Sequence, residues 1–248
     1  MTPALRARAS ALAKLLELLV FPSFCKICRA PLEEAGERIV CRACLARLEP
    51  RRGPACPRCG RFLEGAGGSH LCARCLSGPP AYALHRSCGA YAGTLKDVVL
   101  LFKYRRYAPL ARPLAAWADA CLAGETELWE GADLLVPVPL HRARRRERGF
   151  NQARLVAAGL GRARGLEVLG RGCLVKARRA PAQAGLRAAD REANVRGAYA
   201  VRRPDEVRGR TLVLVDDVTT TGATLRECAR VLVEAGAREV RAVTLAQA

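Results

Sequence analysis

The sequence of 248 residues has few acidic side chains, few aromatic rings and no long apolar run. Its apolar stretch at 15–21, LLELLVF, is far shorter than the roughly 20 residues that a membrane-spanning helix needs, so a span is excluded. Aromatic residues form only 5% of the chain, which argues against recognition of nucleic-acid bases by stacking. The basic and apolar start has no small-residue cleavage site, and we therefore expect a cytoplasmic protein.

The shortage of acidic residues leaves a large positive charge. Asp and Glu total 23 against 42 Lys and Arg, which gives a formal net charge of +19. Because half of the residues are hydrophobic, the chain is not of the disordered class. Arginine binds phosphate through a planar fork of donors, and 37 of the basic residues are Arg. The composition favours a partner that carries phosphate groups, such as a nucleic acid.

Cysteine is concentrated near the start of the chain. Eight of the 12 cysteines form four CxxC pairs, and adding 31 to each of the first four positions gives each of the last four. Two CxxC turns supply the four thiolates of a tetrahedral zinc site, and a disulfide framework fits poorly without a secretory signal. The spacing predicts two zinc ions, with these ligands: Cys25, Cys28, Cys41, Cys44, Cys56, Cys59, Cys72 and Cys75.

The pairing of these CxxC turns is open between tandem and interleaved sites. The 31-residue period favours tandem sites, since each copy carries a complete ligand set. His70 lies beside Cys72, but four thiolates already fill a structural site, so we expect a surface histidine. Few large apolar residues accompany the cysteines. We therefore expect zinc to supply much of the folding energy of residues 25–80, the predicted double zinc ribbon.

Two further segments flank this ribbon. Leu12, Leu15, Leu16 and Leu19 fall at helical spacing and predict an amphipathic helix within residues 1–24. After Gly78, Pro79 and Pro80, the composition changes to alternating apolar runs and Ala-rich stretches without CxxC pairs. We expect a second domain over residues 81–248.

The pattern of this second domain is typical of an α/β fold. Apolar strands are predicted at 133–140, 211–218 and 238–246, and helical stretches at 95–104, 109–122, 151–163 and 224–237. Strands that alternate with helices indicate a parallel sheet covered on both faces.

The strongest motif is TLVLVDDVTTTGATL at 211–225. Its apolar strand brings Asp216 and Asp217 to the carboxyl edge of the sheet, where α/β folds bind ligands. The loop that follows opens directly into a helix, and its backbone N–H groups and hydroxyls are suited to hold a phosphate. Two carboxylates beside this loop suit the hydroxyls of a ribose. The predicted phosphate-loop residues are Thr219, Thr220, Thr221, Gly222, Ala223 and Thr224.

This string resembles the phosphoribosyl diphosphate (PRPP) binding motif of type I phosphoribosyltransferases. Together with LFKY at 101–104, VPVPLHRARRRERGFNQARLVA at 136–157, APAQAGLRAADREANVRGAY at 180–199 and the paired ribbons, it resembles the ComF family, competence protein F, over almost the whole chain. The resemblance implies a type I phosphoribosyltransferase-like domain that binds PRPP with Mg²⁺. It also implies a role in natural transformation, with single-stranded DNA and other competence proteins such as a DNA helicase as partners.

The resemblance also implies a loop after the VPVP strand, at residues 140–148, and assigns roles to its residues. Leu140, His141 and Arg148 are expected to meet the pyrophosphate of PRPP. The neighbouring arginines are expected to hold a nucleic-acid backbone: Arg142, Arg144, Arg145 and Arg146. Thr220 stands where purine-salvage members of the fold carry an acid, which argues against transfer to a purine base. The run 172–199, with Lys176, Arg178, Arg179, Gln183 and Asn194, is a candidate lid.

Two functions therefore remain open at the level of sequence. One is a competence factor that binds single-stranded DNA and uses PRPP as a ligand. The other is an active phosphoribosyltransferase whose acceptor is unidentified and whose zinc ribbons are a scaffold.

Overall fold

The computed structural model describes residues 23–32, 39–63, 65, 67–178 and 195–248. The chain divides into two compact units, Met1–Leu48 and Glu49–Ala248. This division separates the two cysteine copies, whereas the change in composition predicts a boundary near residue 80. The leucines of the predicted amphipathic helix lie outside the described residues. No helix in the part of the chain that the structure describes is both long and apolar enough to cross a bilayer.

The two cysteine copies share one local fold. In each, a CxxC knuckle is followed by a second pair that opens a short helix, α1 (Arg42–Ala46) or α2 (Ala73–Ser77). Cys25 N donates to Ala30 O, and 31 residues later Cys56 N donates to Arg61 O, both at 2.8 Å. The knuckle turns through the left-handed region at Arg29 (φ 65°) and at its counterpart Gly60 (φ 64°). The sequence repeat is therefore a structural repeat.

The second unit is an α/β domain whose elements follow the predicted alternation. Its strands are β1 (His85–Ala90), β2 (Leu134–Pro137), β3 (Glu167–Val168), β4 (Leu174–Lys176), β5 (Tyr199–Val201), β6 (Thr211–Thr219) and β7 (Glu239–Gln247). Its α-helices are α3 (Gly93–Tyr104), α4 (Ala111–Cys121), α5 (Thr126–Trp129), α6 (Arg142–Arg148), α7 (Gln152–Arg164) and α8 (Ala223–Glu234). Short 3₁₀ turns cover Ala108–Leu110 and Pro204–Glu206.

Five strands form one parallel sheet in the order β1-β7-β6-β2-β3. The connection from β6 through α8 to β7 runs in one direction across the sheet, and that from β2 through α7 to β3 runs in the other. Because such crossovers are right-handed, α7 and α8 cover opposite faces. The fold class predicted from the sequence is confirmed, and the strand order reverses between β6 and β2. This reversal is the point at which open α/β sheets bind ligands.

The remaining strands, β4 and β5, form a separate antiparallel pair. They flank residues 177–198, within which the described part ends at Arg178 and resumes at Val195. Of the candidate lid residues, Arg179, Gln183 and Asn194 lie outside the described residues. Lys176 ends β4, and Arg178 donates to the carbonyl oxygen of Arg196 at 2.8 Å.

The second cysteine copy is bonded to the sheet through His85, the first residue of β1. His85 N donates to Arg58 O, and His85 Nδ1 lies 2.8 Å from Cys59 O. On the other side of the ring, His85 Nε2 lies 3.0 Å from Thr244 Oγ1 on β7. A Cβ on Gly60 would stand 2.4 Å from His85 O, so only glycine allows this approach. The second copy is thus part of the α/β unit.

Candidate functional site

The eight paired cysteines form two groups of four thiols. In each group the sulfur atoms all lie within 4.8 Å of one another, and all eight thiols are free of disulfides. Measured Sγ–Sγ distances are 3.6 Å for Cys28 and Cys41 and 3.6 Å for Cys59 and Cys72. A tetrahedral zinc ion with Zn–S bonds of about 2.3 Å requires about 3.8 Å. The sites are tandem, as the repeat predicts, and both fit zinc.

In each site the pKa of one thiol is lowered. Burial opposes ionisation of Cys25, but backbone N–H groups of Cys41 and of the knuckle lower its pKa to about 6. The equivalent Cys56 has the same arrangement, and its pKa is also lowered to about 6. Since zinc binds the thiolate, these N–H groups favour metal uptake at neutral pH. His70 is exposed and belongs to neither group, in agreement with the prediction.

The acidic pair lies at the reversal of strand order, where Val138 N donates to Val215 O beside the end of β2. Because β6 continues through both acids to Thr219, their side chains leave the strand on opposite faces. Asp217 is buried and forms an ion pair with Lys103 of α3, with 2.9 Å between Nζ and Oδ1. The LFKY segment therefore contributes a lysine to this end of the sheet.

Asp216 lies on the other face, towards the β4–β5 pair. Burial and the charge of Asp217 raise its pKa to about 7, although Lys103 and Lys176 oppose the shift. Lys176 Nζ lies 5.0 Å from the centre of the Tyr199 ring. The pKa of Lys176 is lowered, mainly by burial and secondly by the positive charge of Arg144. A carboxyl group with a pKa near neutral pH, at the edge of the sheet where open α/β folds bind ligands, is typical of a functional site.

The predicted phosphate loop joins β6 to α8. Thr219 ends the strand, Thr220 is exposed, and Gly222 adopts the left-handed conformation (φ 75°) immediately before the helix. Thr221 Oγ1 accepts from Ala223 N at 3.4 Å, which curls the loop around the helix start. The loop and α8, a helix of 12 residues, together have the form of an anion-binding helix N-terminus.

The arginine-rich segment after β2 is a helix, α6, where the sequence predicts a loop. His141 caps it, because Nδ1 accepts from Ala143 N at 3.3 Å, and Gly149 ends it in the left-handed conformation. Arg148 is 8% exposed, bonds to Gln152 at 3.3 Å and lies over the Tyr104 ring. Arg148 thus joins α6 to its surroundings, while Leu140 and His141 face an adjoining cavity.

This basic cavity occupies about 1170 Å³ between α6, the start of α7 and the β3–β4 connection. Among the described residues that line it there is no carboxylate. Three of the arginines predicted to contact nucleic acid line it, whereas Arg144 does not. The cationic side chains of its lining are Arg142, Arg145, Arg146, Arg154, Arg171, Lys176 and Arg202.

Several residues of this region were not predicted from the sequence to belong to the site. Lys103 and Tyr199 are far from the motif along the chain, and only the tertiary structure brings them to Asp216 and Asp217. Arg154, Arg171 and Arg202 come from three separate segments of the cavity wall. The LFKY string was the one available signal for Lys103.

The parallel sheet, the acidic pair at its reversal point and the threonine loop define a phosphoribosyltransferase-type domain that follows two zinc ribbons. Two family models agree: residues 16–77 match a double zinc ribbon domain, and residues 152–248 match a phosphoribosyl transferase domain. The chain belongs to the family of competence protein F and the DNA utilization protein YhgH.

Three relatives illustrate the membership. The chain is 33% identical to DNA utilization protein YhgH of Escherichia coli (strain K12) over 227 residues, 90% of this chain and 96% of the relative. It is 31% identical to competence protein F of Haemophilus influenzae over 231 residues, with the same coverage. Competence protein ComFC of Bacillus subtilis is 28% identical over 222 residues, 83% of each chain.

Proposed function

We propose that this protein binds phosphoribosyl diphosphate and single-stranded DNA in the cytoplasm and supports the uptake or use of DNA. The observation that carries the first part is the acidic pair and the phosphate loop, which end β6 at the reversal of strand order. Asp216 would accept hydrogen bonds from the ribose hydroxyls, and residues 219–224 would hold the 5′-phosphate. Asp217, which is buried against Lys103 on the opposite face, would support this end of the strand.

The diphosphate of PRPP would extend towards the end of β2. Leu140 and His141 lie there and face the basic cavity. Mg²⁺ would enter with PRPP and neutralise the charge of the diphosphate, and carboxylate oxygens are ligands that this ion prefers. Arg148 would act indirectly, because its buried bonds to Gln152 hold α6 in place.

The basic cavity supports the second part of the proposal. Its volume exceeds the roughly 300–1,000 Å³ of small-molecule pockets, so it has room beyond PRPP. Its cationic lining suits the repeated phosphates of a nucleic-acid strand, whose binding is driven by release of counterions. The names of the relatives, DNA utilization protein and competence protein, support the same direction. Other competence proteins, such as a DNA helicase, would be its partners.

Titration calorimetry tests the sugar-phosphate site. We expect PRPP with Mg²⁺ to bind the protein, and adenosine triphosphate with Mg²⁺ to bind at least tenfold more weakly, because the loop lacks the lysine of a nucleoside triphosphate loop. Replacing Gly222 by Val, which cannot adopt its backbone conformation, should abolish the heat of binding. Equal affinity for both ligands, or none for PRPP, overturns this assignment.

Fluorescence anisotropy with an unstructured labelled oligonucleotide tests the DNA site. Arg145→Ala with Arg146→Ala removes two exposed arginines of the cavity, and Arg162→Ala removes an exposed arginine of α7 outside it. Each lost phosphate contact should reduce the dependence of log affinity on log salt by about 0.7. We expect the double variant to bind more weakly with a shallower slope, and the control to match the wild-type protein. No difference between them argues against the cavity.

A second candidate function is phosphoribosyl transfer to an acceptor, with the zinc ribbons as scaffold. The raised pKa of Asp216, about 7, favours it, since a group that exchanges protons near neutral pH suits acid–base catalysis. Release of pyrophosphate from PRPP, measured with and without oligonucleotide or nucleobase, separates this function from ligand binding alone.

A further inference from the structure

The second zinc ribbon touches the phosphate loop directly. Arg74, on α2 between two zinc ligands, donates from Nη1 to the carbonyl oxygen of Thr221 at 2.5 Å. In the opposite direction, Arg226 on α8 donates from Nη1 to the carbonyl oxygen of Gly78 at 2.8 Å. Two hydrogen bonds therefore join the end of the ribbon to the loop and helix that would hold a phosphate.

These bonds restrict the peptide between Thr221 and Gly222, whose orientation decides whether the loop can bind an anion. A phosphate site needs its N–H groups turned towards the anion and its carbonyl groups turned away. The guanidinium of Arg74 holds the Thr221 carbonyl, and Gly222, which follows it, is a left-handed residue whose peptide would otherwise turn easily. Rotation of that peptide would place a carbonyl oxygen where an anion must bind.

The second ribbon is bonded to the sheet, so it can hold the phosphate loop in a defined position. His85 binds the backbone of its knuckle on one side and Thr244 of β7 on the other. Cys72 and Cys75, which flank Arg74, belong to the second thiol group. The position of Arg74 is thus set both by the sheet and by four thiolates around one ion.

The internal repeat shows that Arg74 is not needed by the ribbon fold. Its counterpart 31 residues earlier is Ala43, and α1 forms there with the same length as α2. An arginine at position 74 therefore serves a contact that the first copy does not use.

We propose that Arg74 is a positioning residue for the phosphate loop, so that the second zinc ribbon is an integral part of the sugar-phosphate site. This inference rests on the proposed binding of PRPP. By reciprocity, a ligand that needs the ordered loop also stabilises the ribbon that orders it. PRPP should therefore slow the loss of zinc from the second site only.

The first experiment measures PRPP affinity of variants by titration calorimetry, with zinc content as a parallel readout. Arg74→Ala restores the residue of the first copy, so both zinc ions should stay bound while affinity for PRPP falls about tenfold, as expected for one lost charged hydrogen bond. Arg74→Lys keeps a donor and should recover most of the affinity, whereas Arg74→Met should not. Arg42→Ala, an arginine of α1, is the matched control and should leave affinity unchanged.

The second experiment uses the unmodified protein. A coloured chelator extracts the two zinc ions, and we expect Mg²⁺–PRPP to slow one extraction phase at least threefold and leave the other unchanged. Ribose with Mg²⁺, which has no phosphate, is the control. Identical rates with and without PRPP, or equal PRPP affinity of Arg74→Ala and wild-type protein, overturn the inference. Absence of PRPP binding to the wild-type protein would instead refute the proposed function on which the inference rests.

Discussion

Lys103 and Asp217 form a buried ion pair of 2.9 Å that joins α3 to the carboxyl end of β6. The lysine belongs to a helix more than 100 residues earlier in the chain, and it contacts one carboxylate of the acidic pair. The pair holds the Asp217 side chain in one orientation at the edge of the sheet where we propose that PRPP binds.

Breaking this pair should destabilise the protein. Asp217→Asn removes the carboxylate that is ion-paired with the buried ammonium of Lys103, and we expect the free energy of unfolding to fall by about 3–5 kcal/mol in urea denaturation. The double variant Lys103→Met with Asp217→Leu removes both charges and should recover more than half of that loss. A single variant within about 0.5 kcal/mol of wild type would contradict the pair's importance.

Asp216 predicts an unusual dependence of stability on pH. Its pKa is about 7 in the folded protein and near 3.8 in the unfolded chain, since burial and Asp217 oppose its charge. The folded state therefore binds the proton more tightly, and this contribution to stability is lost as the pH rises through 7. The stability of Asp216→Asn relative to wild type should be higher at pH 8 than at pH 5.5, by at least about 1 kcal/mol. Thermal denaturation at both pH values measures it, and a constant difference would refute the shift.

Removing one zinc ligand should have different effects in the two copies. Cys44→Ser and Cys75→Ser occupy equivalent positions, and each variant should retain one zinc ion by metal analysis. The second copy belongs to the α/β unit through His85, so Cys75→Ser should lower the melting temperature of that unit by about 5 °C or more. Cys44→Ser should leave the transition of the α/β unit unchanged. Equal effects of the two variants would show that the copies are equally coupled to the sheet.

His85 should remain neutral in mildly acidic solution. Its pKa is lowered to about 4, mainly by burial. Its Nδ1–H donates a hydrogen bond to Cys59 O. Because the folded pKa lies below the unfolded value of 6.5, its contribution to stability is lost as the pH falls from 6.5 towards 4. The chain has three histidines, so nitrogen NMR resolves each ring. A charged His85 ring at pH 6 would contradict the buried contact.

Local patterns predicted three of the seven described strands and four of the six described α-helices of the α/β domain. The apolar runs at 211–218 and 238–246 coincide with β6 and β7 to within a residue, because parallel strands buried on both faces have continuous apolar sequences. The tandem zinc sites follow in the same way, since each repeat carries all its ligands. Short-range information is sufficient for both.

Two kinds of feature were not predicted from the sequence: one helix, whose caps are local, and the contacts between distant residues. The arginine-rich segment was predicted as a loop, yet His141 and Gly149 cap it as α6. The lysines beside the acidic pair come from α3 and β4, and no local spacing indicates which lysine reaches which carboxylate. The second zinc ribbon is joined to the α/β domain by His85, Arg74 and Arg226, and the cysteine pattern indicates none of these bonds.

The glycine in the second knuckle limits how the duplicated ribbon can evolve. At position 29 the first copy tolerates an arginine, while a methyl group at position 60 would strike the backbone of β1. The two halves of this tandem duplication therefore differ in the substitutions they accept: the first accepts a side chain at the knuckle turn, and the second does not, because the backbone of β1 lies against it. Exchanging the two halves by genetic grafting would consequently preserve metal uptake but prevent docking of the transplanted half.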